Sequence, residues 1–161
     1  MRDVLCTLRR LKQLALIKLH ARPVASGRSA STHDRAKISV LAVGIGGRER
    51  QTLEELASEA NLELVFVQTW KDSITLLRRT PSVIVLCDRD VPDASWRTAV
   101  EDLARVAPKS CVVLVSAVND EYLWQEVVQH GGFDVVTKPF QSDQIRRRID
   151  HAWLFWNSTS R

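Results

Sequence analysis

The sequence predicts an α/β protein in which a parallel β-sheet is covered by helices on both faces. Between residues 37 and 157, five short apolar runs alternate with five helical patterns. Strands that alternate with helices form a parallel sheet, because each helix returns the chain to the same edge. The run at residues 83–87 is uninterrupted and rich in branched side chains, which is typical of a central strand buried on both faces. A chain of 161 residues is long enough for one such domain.

The first two strands are predicted at residues 38–43 and 62–67. The intervening helix is predicted at residues 51–60, because apolar residues recur there every three or four positions. That inner face consists of Leu53, Leu56, Ala57 and Ala60. A second helix at residues 70–79 ends before Pro81, which cannot continue a helix.

The third strand, at residues 83–87, is followed by a helix at about residues 95–106 and a fourth strand at residues 111–115. Asn119 is a candidate N-cap for a helix that runs to His130, where two glycines end it.

The fifth strand is short, at residues 134–137, and Ser142 is the candidate cap of the last helix. We expect the inner face of that helix to consist of Ile145, Ile149, Ala152, Trp153 and Trp156.

The charges of the chain are unevenly distributed. Residues 1–37 carry nine Lys/Arg against two Asp, whereas residues 38–161 carry fourteen Lys/Arg against seventeen Asp/Glu. We therefore predict a basic extension and linker at 1–36, a mildly acidic domain at 37–157 and a tail at 158–161. Leucines at helical spacing make residues 4–20 a candidate amphipathic helix for an anionic membrane or a partner. The alternative is a poorly ordered extension.

Several classes of protein are disfavoured. No apolar run is long enough to span a bilayer. Cys87 and Cys111 lie in apolar runs, and the chain has no CxxC motif, so we expect a reducing, cytoplasmic setting. No Ser-His-Asp or Cys-His arrangement is evident, so we do not expect an enzyme. Because the chain ends soon after the last helix, we expect no attached output or DNA-binding domain.

Polar residues follow three of the predicted strands. Asp88 follows the third strand, Ser116 the fourth and Lys138 the fifth. Because the carboxyl ends of parallel strands share one edge, where such sheets bind ligands, these three side chains should converge.

Three runs carry a resemblance to a known family. They are Asp-Arg-Asp-Val-Pro at 88–92, Ser-Ala at 116–117, and Thr-Lys-Pro-Phe at 137–140. With them, the region from residue 37 to 156 resembles the CheY-like receiver domain of response regulators. The resemblance implies a flavodoxin-like (βα)5 three-layer sandwich whose five-stranded parallel sheet has the order 2-1-3-4-5. It also implies a role in two-component or phosphorelay signal transduction.

The resemblance also implies roles for individual residues. Asp88 would accept a phosphoryl group, Ser116 would contact its oxygens, and Lys138 would pair with the acceptor. The peptide bond before Pro139 would be cis, and Asp90 would offer its backbone carbonyl to a metal ion.

The sequence departs from the family pattern after the first strand. The family has two adjacent acids there, which hold Mg²⁺ together with the acceptor, but this chain has Gly44 and Ile45. The aromatic residue expected three positions before the lysine is Val135. Asp88 with Lys138 sums to zero charge and needs no metal, whereas three carboxylates with one lysine would require a divalent cation. We therefore expect no cofactor, with Mg²⁺ binding doubtful.

We interpret the chain as a stand-alone, degenerate receiver that signals by binding a protein, such as a histidine kinase or a downstream protein, with weak or no Mg²⁺-dependent phosphorylation. One alternative is a working phospho-receiver that uses Asp88. Another is a small-anion or nucleotide binder at the Gly44–Arg48 turn. The resemblance implies partner docking or homodimer contact through the last two helices, and Trp124, Leu154 and Phe155 are candidate contacts there.

Overall fold

The computed structural model describes residues 37–118 and 120–159, in which five strands alternate with five helices. The strands are Ile38–Val43 (β1), Leu62–Val67 (β2), Ile84–Asp88 (β3), Cys111–Ser116 (β4) and Asp134–Thr137 (β5). The helices are Gly47–Glu59 (α1), Trp70–Arg79 (α2), Trp96–Val106 (α3), Glu121–Gln129 (α4) and Ser142–Thr159 (α5). The predicted basic extension at 1–36 and the predicted cap Asn119 lie outside the described residues.

The strands form one parallel sheet in the order β2-β1-β3-β4-β5, which confirms the predicted fold. Every residue of β3 and β4 is buried, as expected of central strands covered on both faces. The register pairs Asp88 with Val115, and Ser116 with Thr137. The carboxyl ends of β3, β4 and β5 therefore lie next to each other at one edge of the sheet.

Alternate residues of the strands face two helical layers. The first face includes Leu41, Val85 and Leu114, which belong to a core cluster shared with α2, α3 and α4. The second face includes Ile84 and Leu86, which are also fully buried. Helices α1 and α5 contact one another and cover this second face. The result is a three-layer sandwich.

The helix starts are set by capping residues. The side chain of Thr69 accepts from the backbone N–H of Asp72, that of Ser95 from Thr98, and that of Asp120 from Leu123. These bonds satisfy N–H groups that have no partner inside the helix. Asp120 therefore caps α4.

Helix α1 begins at Gly47, four residues before the predicted start. Gly46 occupies the N-cap position in an extended conformation, without a capping side chain. The first turn contains charged residues rather than apolar ones, so the spacing of apolar residues gives no sign of it. Loop-like composition at the end of β1 therefore conceals a full helical turn.

Helix α5 buries a different set of residues from the one predicted. Ile145, Ile149 and Ala152 are buried as expected, but the fourth buried residue is Phe155. Its ring lies 5.0 Å from that of Phe133, which precedes β5. Trp153 and Trp156 instead stack on each other at 5.2 Å and remain half-buried. The prediction that Phe155 is a partner contact is wrong, because its ring belongs to the core.

None of the helices in residues 37–118 and 120–159 combines the length and apolar character needed to cross a membrane.

Candidate functional site

Asp88 is the last residue of β3, and its side chain is held at the carboxyl edge of the sheet. The residue is 7% exposed. Lys138 Nζ lies 2.9 Å from Oδ2 and 3.2 Å from Oδ1, and the backbone N–H of Asp90 donates to Oδ1 at 2.9 Å. A nearly buried carboxylate requires such donors to offset its lost hydration. Asp88 and Lys138 thus form a hydrogen-bonded ion pair.

Ser116 ends β4 and is almost completely buried. Its hydroxyl accepts from the backbone N–H of Val118 at 3.1 Å, and Arg89 Nη1 lies 3.5 Å from the same oxygen. Its carbonyl accepts from the backbone N–H of Lys138 at 2.9 Å. The Lys138–Pro139 peptide bond is cis, as the resemblance implies. The three polar residues expected at the edge are therefore brought together there.

The turn after β1 packs its backbone directly against Asp88. Gly44 has a φ of +70°, and a Cβ built on it would lie 3.4 Å from Asp88 Cβ and 3.6 Å from Val91. Its N–H donates to the carbonyl of Val67 at 2.8 Å. The next residue, Ile45, is 1% exposed and belongs to the core. The end of β1 thus presents backbone to Asp88, and the following side chain is apolar.

The possible metal ligands around Asp88 do not fit the oxygen-rich octahedral shell that Mg²⁺ requires. Asp88 is paired with Lys138, and the exposed Asp90 carboxylate lies 4.0 Å from the same ammonium group. Glu49 lies in the first turn of α1. Within the part of the chain that the structure describes, no group of three or more His, Cys, Asp or Glu residues is placed to hold a metal ion.

The Gly44–Arg48 turn is the alternative predicted site, where backbone N–H groups and the nearby Arg48 and Arg50 could face a small anion or nucleotide. A Cβ added at Gly46 or Gly47 would meet nothing within 4 Å, so the turn is open to solvent. Arg50, however, bonds to Glu54 at 2.8 Å, and its guanidinium carbon lies 4.3 Å from the centre of the Phe66 ring. Arg50 is therefore directed along α1 and toward β2.

Asp93 has a capping role that the sequence pattern does not reveal. Its carboxylate accepts from the backbone N–H groups of Trp70 and Lys71, at 2.8 and 3.1 Å. Burial alone would raise the pKa of Asp93, but these hydrogen bonds outweigh that effect and hold the pKa below its usual value. The loop that follows Asp88 is thereby fastened to the start of α2.

The candidate partner contacts differ in their exposure. Trp124 is half-buried, and its indole N–H donates to Asp134 at 3.2 Å. Arg148 of α5 reaches the other oxygen of the same buried carboxylate at 2.6 Å. Leu154 is 43% exposed, and Tyr122 at the start of α4 is 70% exposed. Trp124 is thus held to β5 by a hydrogen bond, whereas Leu154 and Tyr122 are open to solvent.

Fold and site together define a class of protein: an open parallel α/β sheet with an Asp–Lys pair and a serine at its carboxyl edge. The family model of the response regulator receiver domain matches residues 48–150, which is more than half of the chain. The chain therefore belongs to the response regulator receiver domain family.

Individual relatives agree with this assignment. The chemotaxis protein CheY of Thermotoga maritima is 22% identical over 107 residues, which cover 66% of this chain and 89% of the relative. The signal receiver domain of an HD domain-containing protein from Pseudomonas fluorescens Pf-5 superposes with a TM-score of 0.69 at 17% identity, covering 80% of this chain and 95% of the other.

A third relative is the receiver domain of the sensor histidine kinase PA1611 from Pseudomonas aeruginosa PAO1, whose structure has a magnesium ion coordinated in its active-site cleft. It superposes with a TM-score of 0.62 at 15% identity, covering 71% of this chain and 96% of the other. Receiver domains are signalling modules of two-component systems. They interact with partner proteins such as kinases and effectors.

Proposed function

We propose that this receiver signals by binding a protein partner, and that Mg²⁺-dependent phosphorylation of Asp88 is weak or absent. The observation that carries the proposal is the lack of a carboxylate in the turn after β1, at Gly44 and Ile45. Gly44 places backbone against Asp88, and Ile45 is buried in the core. Neither residue can supply the carboxylate oxygens that a hard divalent cation prefers.

Charge balance supports the same proposal. The Asp88 carboxylate is neutralised by Lys138 Nζ at 2.9 Å. A divalent cation at this site would therefore meet one neutralised carboxylate and a competing ammonium group. The exposed Asp90 carboxylate is the nearest further acid in the ion-pair network, and its attraction for a cation is screened by solvent.

Backbone NMR tests the metal part of the proposal. We expect millimolar Mg²⁺ to leave the amide resonances of Gly44, Asp88, Ser116 and Lys138 unchanged, while the magnesium-holding PA1611 receiver responds under the same conditions. The Asp88→Asn variant shows whether any response comes from this site. Saturable shifts at these four residues in the wild-type chain, lost in Asp88→Asn, would contradict the proposal.

The partner surface is proposed to lie on the outer sides of α4 and α5. Support comes from the exposed apolar side chains of Tyr122 and Leu154 on these helices, since exposed large apolar groups commonly act as interface anchors. A histidine kinase of the same cell is the proposed partner. We expect it to broaden the resonances of both residues.

A matched pair of variants tests this surface. Leu154→Asp should weaken kinase binding, whereas Val65→Asp, at a similarly exposed residue of the opposite edge strand β2, should not. Equal loss of binding in both variants would argue against the α4–α5 surface.

A working phospho-receiver remains the second candidate, because Asp88, Ser116 and Lys138, to which the resemblance gives phosphoryl-binding roles, lie at one edge of the sheet. The anion-binding alternative at the Gly44–Arg48 turn, action as a stand-alone domain and homodimer contact stay predictions.

A further inference from the structure

Arg89 carries a positive charge at the site and has no carboxylate partner among residues 37–118 and 120–159. Its guanidinium Nη1 lies 3.5 Å from Ser116 Oγ, and the ion pairs of the described residues do not include it. Its backbone N–H donates to the carbonyl of Val115 at 2.8 Å, so the residue is fixed beside β4. A half-buried arginine that meets no carboxylate in the described ranges is available to an anionic ligand.

Among the buried and half-buried groups around Asp88 the charges sum to one positive charge, and the exposed Asp90 carboxylate, 4.0 Å from Lys138 Nζ, brings the full sum to zero. Asp88 and Lys138 cancel, Arg89 adds one positive charge, and the Asp90 carboxylate is directed to solvent with a side-chain exposure of 82%. Gly44 contributes no carboxylate at the opposite side of the site. A phosphoryl group on Asp88 would replace the single carboxylate charge with about two negative charges. Lys138 and Arg89 would balance those two charges.

We propose that Arg89 takes the place of the divalent cation at this receiver site, so that Arg89 and Lys138 together hold a phosphoryl group on Asp88 without a metal ion. Ser116 Oγ, between Arg89 and the end of β5, would donate to a third phosphoryl oxygen. The inference rests on the proposed independence of this site from Mg²⁺. It adds the group that makes such independence compatible with phosphoryl chemistry.

The proposed donor is an acyl phosphate. An oxygen of the Asp88 carboxylate attacks phosphorus, and a new P–O bond forms as the bond between phosphorus and the bridging oxygen of the donor breaks. The leaving carboxylate departs with the electron pair of that bond. No oxidation and no net proton transfer occur, and the total charge is the same on both sides.

The test follows the mass of the full chain after incubation with acetyl phosphate, in EDTA or in Mg²⁺. We expect wild-type protein to gain one phosphoryl group in EDTA, with little further gain in Mg²⁺, and Asp88→Asn to gain none. Loss of a charge-assisted hydrogen bond to the phosphoryl group should lower the rate in Arg89→Gln by about tenfold to a hundredfold. Arg89→Lys should retain part of the rate, because it keeps the charge without the planar guanidinium.

Arg78→Gln is the matched control, since Arg78 is exposed in the last turn of α2. That turn returns the chain to the amino end of β3, away from the site at its carboxyl end. Urea denaturation of each variant separates a loss of fold from a loss of chemistry. A full wild-type rate in folded Arg89→Gln would overturn the proposal, and so would the absence of labelling in EDTA.

The two proposals fail in distinguishable ways. Labelling that requires Mg²⁺ contradicts both. Absence of labelling in both EDTA and Mg²⁺ contradicts the role of Arg89 and leaves the protein-binding function intact.

Discussion

Cys87 and Asp88 are neighbours in β3, yet they have opposite environments because successive residues of a strand face opposite sides of the sheet. Cys87 is fully buried in the core cluster with α2, α3 and α4. Burial, reinforced by the negative charges of Asp88 and Asp93, raises the pKa of Cys87 to about 12. The thiol is therefore protonated at neutral pH, even though it precedes the site by one residue.

We expect Cys87 to resist alkylation in the folded protein. In a chain with Cys6 and Cys111 replaced by serine, iodoacetamide near neutral pH should react on the order of a thousandfold more slowly than with a free thiol, because so little thiolate is present. The rate is followed by mass spectrometry. Unfolding in urea should restore the ordinary rate, and rapid labelling of the folded chain would contradict the raised pKa.

At the scale of single residues, the sequence predicts where a residue lies in the sheet better than it predicts which side chains contact it. Asp88, Ser116 and Lys138 could be located because each ends or follows an apolar strand, and parallel strands bring those ends to one edge. The Arg89 guanidinium, which has no carboxylate partner within the described part of the chain, could not be located in this way, since its pairing depends on where neighbouring carboxylates lie. The burial of Phe155 is hidden from the sequence for a similar reason, because it depends on contact with Phe133.

Among the elements, α2 depends on a residue from a different loop. The carboxylate of Asp93 accepts hydrogen bonds from two backbone N–H groups in the first turn of α2, those of Trp70 and Lys71. The side chain of Thr69 caps the same turn. The loop that leaves the candidate site is thus anchored to a neighbouring helix.

Asp93→Asn should destabilise the protein by about 1 kcal/mol at about pH 7, because the amide accepts these bonds less strongly than a carboxylate. The pKa of Asp93 is lowered in the folded state. Its stabilising effect is therefore fully present above the unfolded pKa, at about pH 4, and is lost as the pH falls through the folded value.

Urea denaturation at several pH values measures this effect. The difference between wild type and Asp93→Asn should be constant from about pH 7 to about pH 5 and should shrink below about pH 4. A difference that grows on acidification would have the wrong sign for this capping role.

A second link between elements centres on the buried Asp134 of β5, which accepts from Trp124 of α4 and Arg148 of α5. Asp134→Ala should lower the free energy of unfolding by about 1–3 kcal/mol, since it leaves both donors without their acceptor. Asp150→Ala, at an exposed position of α5, should change it by less than about 0.5 kcal/mol. Equal effects of the two changes in urea denaturation would show that the link adds no stability.

Element types were predictable because periods of two and of three to four residues recur clearly along the chain. Element ends were less predictable. Helix α1 begins in a charged, glycine-flanked turn, where no apolar spacing reveals it. Strand β3 extends to Asp88, one residue beyond the predicted end, because Asp88 pairs with Val115 through its backbone. Its polar side chain hides this from a search for apolar residues.

For the whole molecule, the described core lies between Val40 and Phe155, whereas all of the positive charge excess lies before it in the sequence. The alternation of strands and helices predicts a parallel sheet with two helical layers. The strand order 2-1-3-4-5 required the family resemblance, because alternation alone is compatible with several orders.

Removal of residues 1–36 should leave the free energy of unfolding within about 0.5 kcal/mol of the full chain, because the described buried residues are retained. It removes eight Lys/Arg and two Asp, so the formal net charge changes from +4 to −2. Isoelectric focusing should show a shift from a basic to an acidic isoelectric point, and urea denaturation gives the stability. A large loss of stability would show that the extension supports the domain.

The turn after β1 also limits what descendants of this chain can become. An Asp in place of Gly44 would have to adopt φ +70°, with its Cβ 3.4 Å from that of Asp88, at a conformational cost of about 1 kcal/mol. An Asp in place of Ile45 would put an ionised carboxylate into the core at a much larger cost. The change at Gly44 is thus the less costly of the two, and the buried position of Ile45 is what opposes a second acid. A pair of acids at these positions would therefore require the core around Ile45 to repack.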